Sequence, residues 1–113
     1  MAAKFKRASA TLTKSESTIY TAPTTGAIIV GILAAHNGAT DAAAQFQLKI
    51  KPASGNDVYL LGKDTSLPQK SALNIDSAKV ILMDGDQVVA SASAVDTSNN
   101  SNMVDLTLSI VEN

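Results

Sequence analysis

The longest uninterrupted apolar segment of this chain runs over Ala27–Ala35, and it constrains the fold more than any other stretch. Its first half is rich in β-branched residues, which favours a β-strand over a helix of the same length. A short buried helix is the alternative, and Gly31 within the segment and Gly26 before it weaken that alternative. Because both its odd-numbered and its even-numbered positions are apolar, both faces of the strand are apolar. We therefore expect a central strand covered on both sides, by a second layer or by a subunit.

A shorter alternating run, Ile19–Thr21, precedes this segment, and Pro23–Gly26 separates the two. Proline cannot donate to a strand ladder and glycine accepts positive φ, so the separation indicates a break between two strands. We expect the two strands to form a hairpin in the middle of a sheet or beneath a partner, away from a sheet edge.

Two later runs alternate between apolar and polar residues with a period of two. The first, Gln45–Lys51, places Phe46, Leu48 and Ile50 on one face. The second, at the end of the chain, places Val104, Leu106, Leu108 and Ile110 inward. With the other short runs they give about eight or nine strands at the spacing typical of sandwiches and barrels. The pattern predicts an all-β chain folded as an antiparallel two-sheet β-sandwich.

Composition limits the classes of protein to which the chain can belong. Its 113 residues predict a single domain over 1–113, and a net charge of −1 gives no overall attraction to nucleic acid or to an anionic membrane. The absence of cysteine fits folding in a reducing cytosol, and the apolar segment is too short to span a membrane. Aromatic residues make up only 4% of the chain, so the core is light and would gain stability from a partner.

Residues 1–10 are basic and leave two interpretations open. One is a solvated first strand with Phe5 directed inward. The other is an N-terminal arm that lies on an acidic neighbouring subunit or on nucleic acid, which makes Lys4, Lys6 and Arg7 the candidate partner contacts. Positive charges without interleaved aromatic residues are a poor signature of nucleic-acid binding, so we expect no direct nucleic-acid contact.

The sequence carries no recognisable catalytic or metal-binding motif. His36 is the only histidine, and at a strand end it is expected to be a surface or turn residue. Asp84-Gly85-Asp86 is expected to be a tight turn, because the residues after it lack the oxygen ligands of a calcium loop. We therefore predict no enzymatic activity, no cofactor, and no catalytic, cofactor-binding or metal-binding residues.

Several motifs are similar to those of small virion proteins of tailed bacteriophages, particularly phages of marine cyanobacteria. In the first half they are Thr18–Pro23, a turn, the run Ile28–Leu33 and Asn37. In the second half they are Leu67-Pro68, Leu73, Val80–Leu82, Asp84–Val88 and a final alternating strand. The resemblance covers roughly residues 11–111 and implies a jelly-roll-like sandwich of about eight strands.

The resemblance also implies an accessory structural protein of the virion, assembled in the host cytoplasm. The leading hypothesis is a capsid decoration protein that binds the outer surface of the major capsid protein shell as a trimer or dimer. A small neck, tail or baseplate protein is an alternative. A further alternative is a host-surface or carbohydrate-binding module that uses the loops at 53–56 and 96–102, with Tyr20 and Tyr59 as the candidate aromatic platforms.

Overall fold

Every regular element that the structure describes is a β-strand. The computed structural model describes residues 4–37, 43–68, 71–75, 79–94 and 104–112. The strands in these ranges are β1 (Lys4–Leu12), β2 (Ser17–Thr21), β3 (Ala27–His36), β4 (Ala44–Lys51), β5 (Val58–Leu67), β6 (Ala72–Ile75), β7 (Val80–Leu82), β8 (Gln87–Ala94) and β9 (Val104–Glu112). The prediction of an all-β chain is confirmed.

The strands pair in a nested order. β1 lies against β9, β2 against β8, β3 against both β6 and β7, and β4 against β5. This is the pattern of one long antiparallel hairpin whose tip is the β4–β5 connection. Two further pairings, β3 with β9 and β4 with β8, roll that hairpin into a five-stranded and a four-stranded sheet. The result is an antiparallel two-sheet β-sandwich with the strand order of a jelly roll, as predicted.

The core lies between the two sheets and is supplied by alternate residues of the strands. In β9 and β4 the predicted inward residues Val104, Leu106, Leu108, Ile110, Phe46 and Leu48 are all buried, and Ile50 packs against them half-buried. Burying a side chain of this size contributes about 1.5–3 kcal/mol relative to leaving it exposed. The period-two pattern of both strands is thereby confirmed.

β3 is a central strand of the five-stranded sheet, between β9 on one side and β6 with β7 on the other. The strand interpretation of the apolar segment is confirmed. The predicted hairpin is wrong, because β2 is an edge strand of the other sheet and pairs with β8. β3 is apolar on both faces and lies between strands on both sides, whereas the short and partly polar β2 suits an edge.

The turn at Pro23–Gly26 carries the chain from one sheet to the other. The amide of Gly26 donates to the carbonyl oxygen of Pro23 at 2.9 Å. Gly26 has a φ of 80°, and a Cβ built on it would lie 2.9 Å from the carbonyl oxygen of Leu82. Only glycine meets both conditions without strain. The amide of Ala22 donates to the carbonyl oxygen of Asp86 at 2.8 Å, which ties this turn to the β7–β8 turn.

Candidate interaction surface

Four apolar side chains form a continuous row across the outer face of the five-stranded sheet. Phe5 on β1 lies opposite Val111 on β9. Val111 lies in turn opposite Ile28 on β3, and Ile28 lies opposite Ile81 on β7. Phe5 is 87% exposed, Ile81 68% and Ile28 38%. We call these four residues the apolar row.

The inward position predicted for Phe5 is wrong, and the register of β1 explains why. Leu12 is buried, and counting back by twos from it puts Ala10, Ala8 and Lys6 on the core-facing side. Phe5 falls on the opposite parity and therefore points outward with Val111. The core-facing positions of β1 go to small residues and to a lysine at the end of the sandwich.

A cleft of about 570 Å³ lies at the β7 end of the apolar row. Its walls are the turn before β3, the start of β3, β7 with the two residues that follow it, and the end of β9. Met83, which is 66% exposed, extends the apolar surface beyond Ile81. The cleft is concave and mostly apolar, which suits a protruding side chain of another molecule.

Basic residues border the apolar row. Arg7 lies opposite Ser109, two residues along β1 from Phe5, and is exposed. Lys79 immediately precedes β7, so extending the β3–β7 register by one residue places it beside Val30. Three strand spacings of about 4.8 Å separate β1 from β7, so the two backbones are about 14 Å apart. In the described part of the chain neither cation has an ion-pair partner.

The other end of the same outer face is polar and internally hydrogen-bonded. Thr11 donates to Oδ1 of Asp105 at 2.7 Å, and Asn37 donates to the same oxygen at 3.3 Å. The hydroxyls of Ser9 and Thr107 lie 3.3 Å apart. Leu33, opposite Thr107 on β9, is 41% exposed at this end, so most but not all of the large exposed apolar side chains described on this face lie at the apolar row.

Glu112 closes that end of the sandwich from the core side. Its Oε1 lies 3.1 Å from Nζ of Lys6, and its Oε2 accepts a hydrogen bond from the hydroxyl of Tyr20 on β2. The carboxylate thus links β9 with β1 and with the other sheet. The hydrogen bond from Tyr20 and the charge of Lys6 lower the pKa of Glu112. Burial, with the hydrogen bond to Glu112, raises the pKa of Tyr20.

The outer face of the four-stranded sheet has a different character. Lys49 on β4 is only 8% exposed, and its Nζ lies 2.6 Å from Glu16 Oε2 and 3.0 Å from Asp57 Oδ2. These two carboxylates raise the pKa of Lys49. The same Nζ lies 5.8 Å from the ring centroid of Tyr59, which is half-exposed. The buried charge on this face is therefore compensated within the chain.

His36 and the Asp84–Asp86 segment, which the sequence analysis considered for catalysis or metal binding, belong to a strand and to a turn. His36 is the last residue of β3 and is 7% exposed, so the expectation of a surface residue is wrong; β3 extends to it as a core-facing position. The amide of Met83 donates to Oδ2 of Asp86 at 2.9 Å, and Gly85 has a φ of 79°, so the predicted tight turn is confirmed. Among the described residues no three metal-ligating side chains come together.

No helix in the described part of the chain is long and apolar enough to cross a membrane. The loop at 53–56 is exposed, and Gly55 within it has a φ of 104°. The second predicted loop, at 96–102, lies outside the described residues.

No protein-family model matches the sequence, and no curated protein matches it significantly. The structure is similar to a chain of the acidic stable capsid structure of Helicobacter pylori bacteriophage KHP30, with a TM-score of 0.59. The match covers 98% of this chain and 86% of that chain at 16% sequence identity. At this identity the likeness establishes a shared fold. The predicted likeness to cyanophage proteins in particular stays a prediction.

The three predicted contact residues, Lys4, Lys6 and Arg7, all lie on β1. Residues 4–12 form β1, paired along its whole length with β9. Lys4, Lys6 and Arg7 are all exposed, and Lys6 is also paired with Glu112. Their action as an arm stays a prediction.

Sequence reasoning missed the apolar row, since its members lie on four strands. The sequence did contain one indication of it, because β3 is apolar at its outward-facing positions as well as at its core-facing ones.

Proposed function

We propose that the protein is an accessory structural component of a tailed-phage virion. In the leading form of this proposal it is a capsid decoration protein bound to the outer surface of the major capsid protein shell. The observation that carries the proposal is the apolar row, which is exposed on the chain by itself. Exposed apolar patches bordered by polar residues mark surfaces that bind other molecules. The fold shared with a chain of a phage capsid supports the virion as the place of binding.

A repeated shell suits a small subunit of this kind. Standard interfaces bury roughly 800 Å² per partner, and many modest contacts spread over a shell give a large total effect. The proposed protein acts as a trimer or dimer, because such oligomers match the local symmetry axes of a capsid. It is incorporated into the virion during assembly in the host cytoplasm.

The deciding experiment is to count copies of the protein in purified particles and to find where they lie. Quantitative mass spectrometry gives the copy number, and a gold-labelled antibody seen by electron microscopy gives the location. Hundreds of copies over the head are expected for a decoration protein. Six or twelve copies at one vertex would replace decoration with the neck, tail or baseplate alternative. Complete absence from the particle would reject the virion proposal.

A host-surface or carbohydrate-binding module is the second candidate, and the exposure of Tyr59 favours it. This ring is 45% exposed beside the loop at 53–56, and aromatic faces are common platforms for ligands. A glycan array tests it directly, with Tyr59→Ser as the matched variant. Binding that is lost in the variant would support this candidate, and a blank array would remove it.

A further inference from the structure

We infer that the apolar row and the cations beside it form the face that docks onto the partner, and that the partner surface is an acidic protein surface with an apolar centre. This inference rests on the proposed function, in which that partner is the outer surface of the shell. It adds which side of the sandwich faces the shell and what chemistry the shell presents there.

The distribution of charge supports an acidic partner. Four cations lie at the apolar end of the five-stranded sheet, against three carboxylates; they are Lys4, Lys6, Arg7 and Lys79, with Asp84, Asp86 and Glu112. This end therefore carries a net charge of +1, although the chain as a whole carries −1. Complementary charge steers association and fixes the orientation of docking. The positive end is thus drawn towards carboxylates.

The same charge argues against a second copy of this chain as the occupant. Face-to-face packing would bring two positive ends together, and like charges across an interface oppose binding. Arg7 and Lys79 stand at opposite ends of one line across the sheet, so rotating a second copy about an axis parallel to the strands sets Arg7 against Lys79. Rotation about the perpendicular axis would set each cation near its own counterpart.

The shape of the surface favours a protein over a lipid bilayer. Side chains that bind a bilayer protrude into it from an amphipathic face. Here Ile28 is only 38% exposed, and it lines the cleft together with Val111 and Ile81. A bilayer cannot fill such a concave site, whereas one apolar side chain of a protein can. Phe5, at 87% exposure, supplies the matching projection on this side.

We expect Phe5 to contribute most of the binding energy, with Arg7 and Lys79 as charged residues at its border. Buried aromatic residues and arginine carry much of the binding energy at protein interfaces. Loss of Phe5 is expected to weaken binding at least about tenfold. Reversing both bordering cations should weaken binding further and reduce its dependence on salt, because exposed charges are screened as ionic strength rises.

The test uses phage particles from which this protein has been removed by mild dissociation, and it measures rebinding of the purified full chain by co-sedimentation. The variants are Phe5→Ser and the double variant Arg7→Glu with Lys79→Glu. The control for the charge is Lys51→Glu on the other outer face, and the control for the exposed apolar residue is Val58→Ser on β5, at a position that is 55% exposed. Circular dichroism and thermal unfolding of each variant confirm that it is folded.

Wild-type protein and both controls are expected to rebind with equal affinity, and the two face variants to rebind at least about tenfold more weakly. If the face variants rebind as well as the controls, the docking face is wrong and the proposed function stands. If wild-type protein does not rebind at all, both are rejected.

Two other measurements would overturn the inference. Analytical ultracentrifugation of wild-type protein and Phe5→Ser tests for a second copy on the row, which would appear as self-association lost in the variant. Co-sedimentation with phosphatidylglycerol vesicles tests for a lipid surface, which would appear as binding lost in the same variant. We expect neither loss.

Discussion

The two outer faces of the sandwich are built from strands of the same kind and differ in how their side chains are compensated. On the four-stranded sheet, Lys49 is almost fully covered and has two carboxylate partners within 3.0 Å. On the five-stranded sheet, the apolar row is exposed and the cations beside it have no ion-pair partner among the described residues. The charge of Lys49 on the first face is compensated within the chain, whereas the apolar row on the second face is left uncovered, which is why we propose docking there.

The largest expected change in the free energy of unfolding comes from comparing the core-facing and outward-facing sides of the five-stranded sheet. Leu108→Ala removes a fully buried side chain of β9, so it should lower the free energy of unfolding by about 2–5 kcal/mol. Phe5→Ser, on the outer side of the same sheet, should change it by no more than about 0.5 kcal/mol. Urea unfolding of both variants makes the comparison. An equal loss in both would contradict the outward position of Phe5.

A smaller effect is expected at the turn that forms one wall of the cleft. Gly26→Ala places a Cβ 2.9 Å from the carbonyl oxygen of Leu82 at a φ of 80°, so it should cost up to about 3 kcal/mol. Gly55→Ala is the matched control, since its φ is 104° and nothing lies within 4 Å of the added Cβ; it should cost about 1 kcal/mol. Thermal unfolding measures both. A control that costs as much as Gly26→Ala would mean that the close approach at the cleft is unimportant.

Removing the charge of Lys49 tests the self-compensated face. Its pKa is raised in the folded protein, so its contribution is present at neutral pH and is lost only as pH rises through that raised value. Lys49→Met should lower stability at pH 7 by about 0.5–1 kcal/mol, and by less in 1 M salt. Lys51→Met, at an exposed position on the same strand, serves as the control. A loss that salt does not reduce would show that packing, and not ion pairing, holds this face together.

The smallest effect is expected at the carboxylate that closes the sandwich. The pKa of Glu112 is lowered in the folded protein, so its stabilising contribution is present above the usual carboxyl range and is lost as pH falls through the lowered value. Glu112→Gln should therefore make stability less dependent on pH on the acid side. Tyr20→Phe removes the hydrogen bond that contributes most to the shift and should change the profile in the same direction. Stability measured from pH 2 to pH 7 checks this, and unchanged profiles in both variants would remove Glu112 as the acid-sensitive group.

Much of the fold could be predicted from local sequence patterns, because side chains alternate between the two faces of a strand and the sequence shows which face is apolar. In β9, alternation alone identified the inward residues, and each of them is buried. The tight turn at Asp84–Asp86 followed from the positive φ that Gly85 tolerates. The nested strand pairing was not accessible, because period two tells which face a residue takes but not which strand lies beside it. The same limit produced the mistaken β2–β3 hairpin.

The sequence by itself determined an all-β sandwich with a light core and a two-sided apolar strand at Ala27–Ala35. The tertiary structure decided that the outer parity of this strand joins Phe5, Val111 and Ile81 in one row. It also decided that Lys6 pairs with Glu112 whereas Arg7, at the border of that row, has no ion-pair partner among the described residues. The physical reason is that burial within a strand depends on neighbours along the chain, whereas a surface that crosses four strands depends on register between segments far apart in sequence.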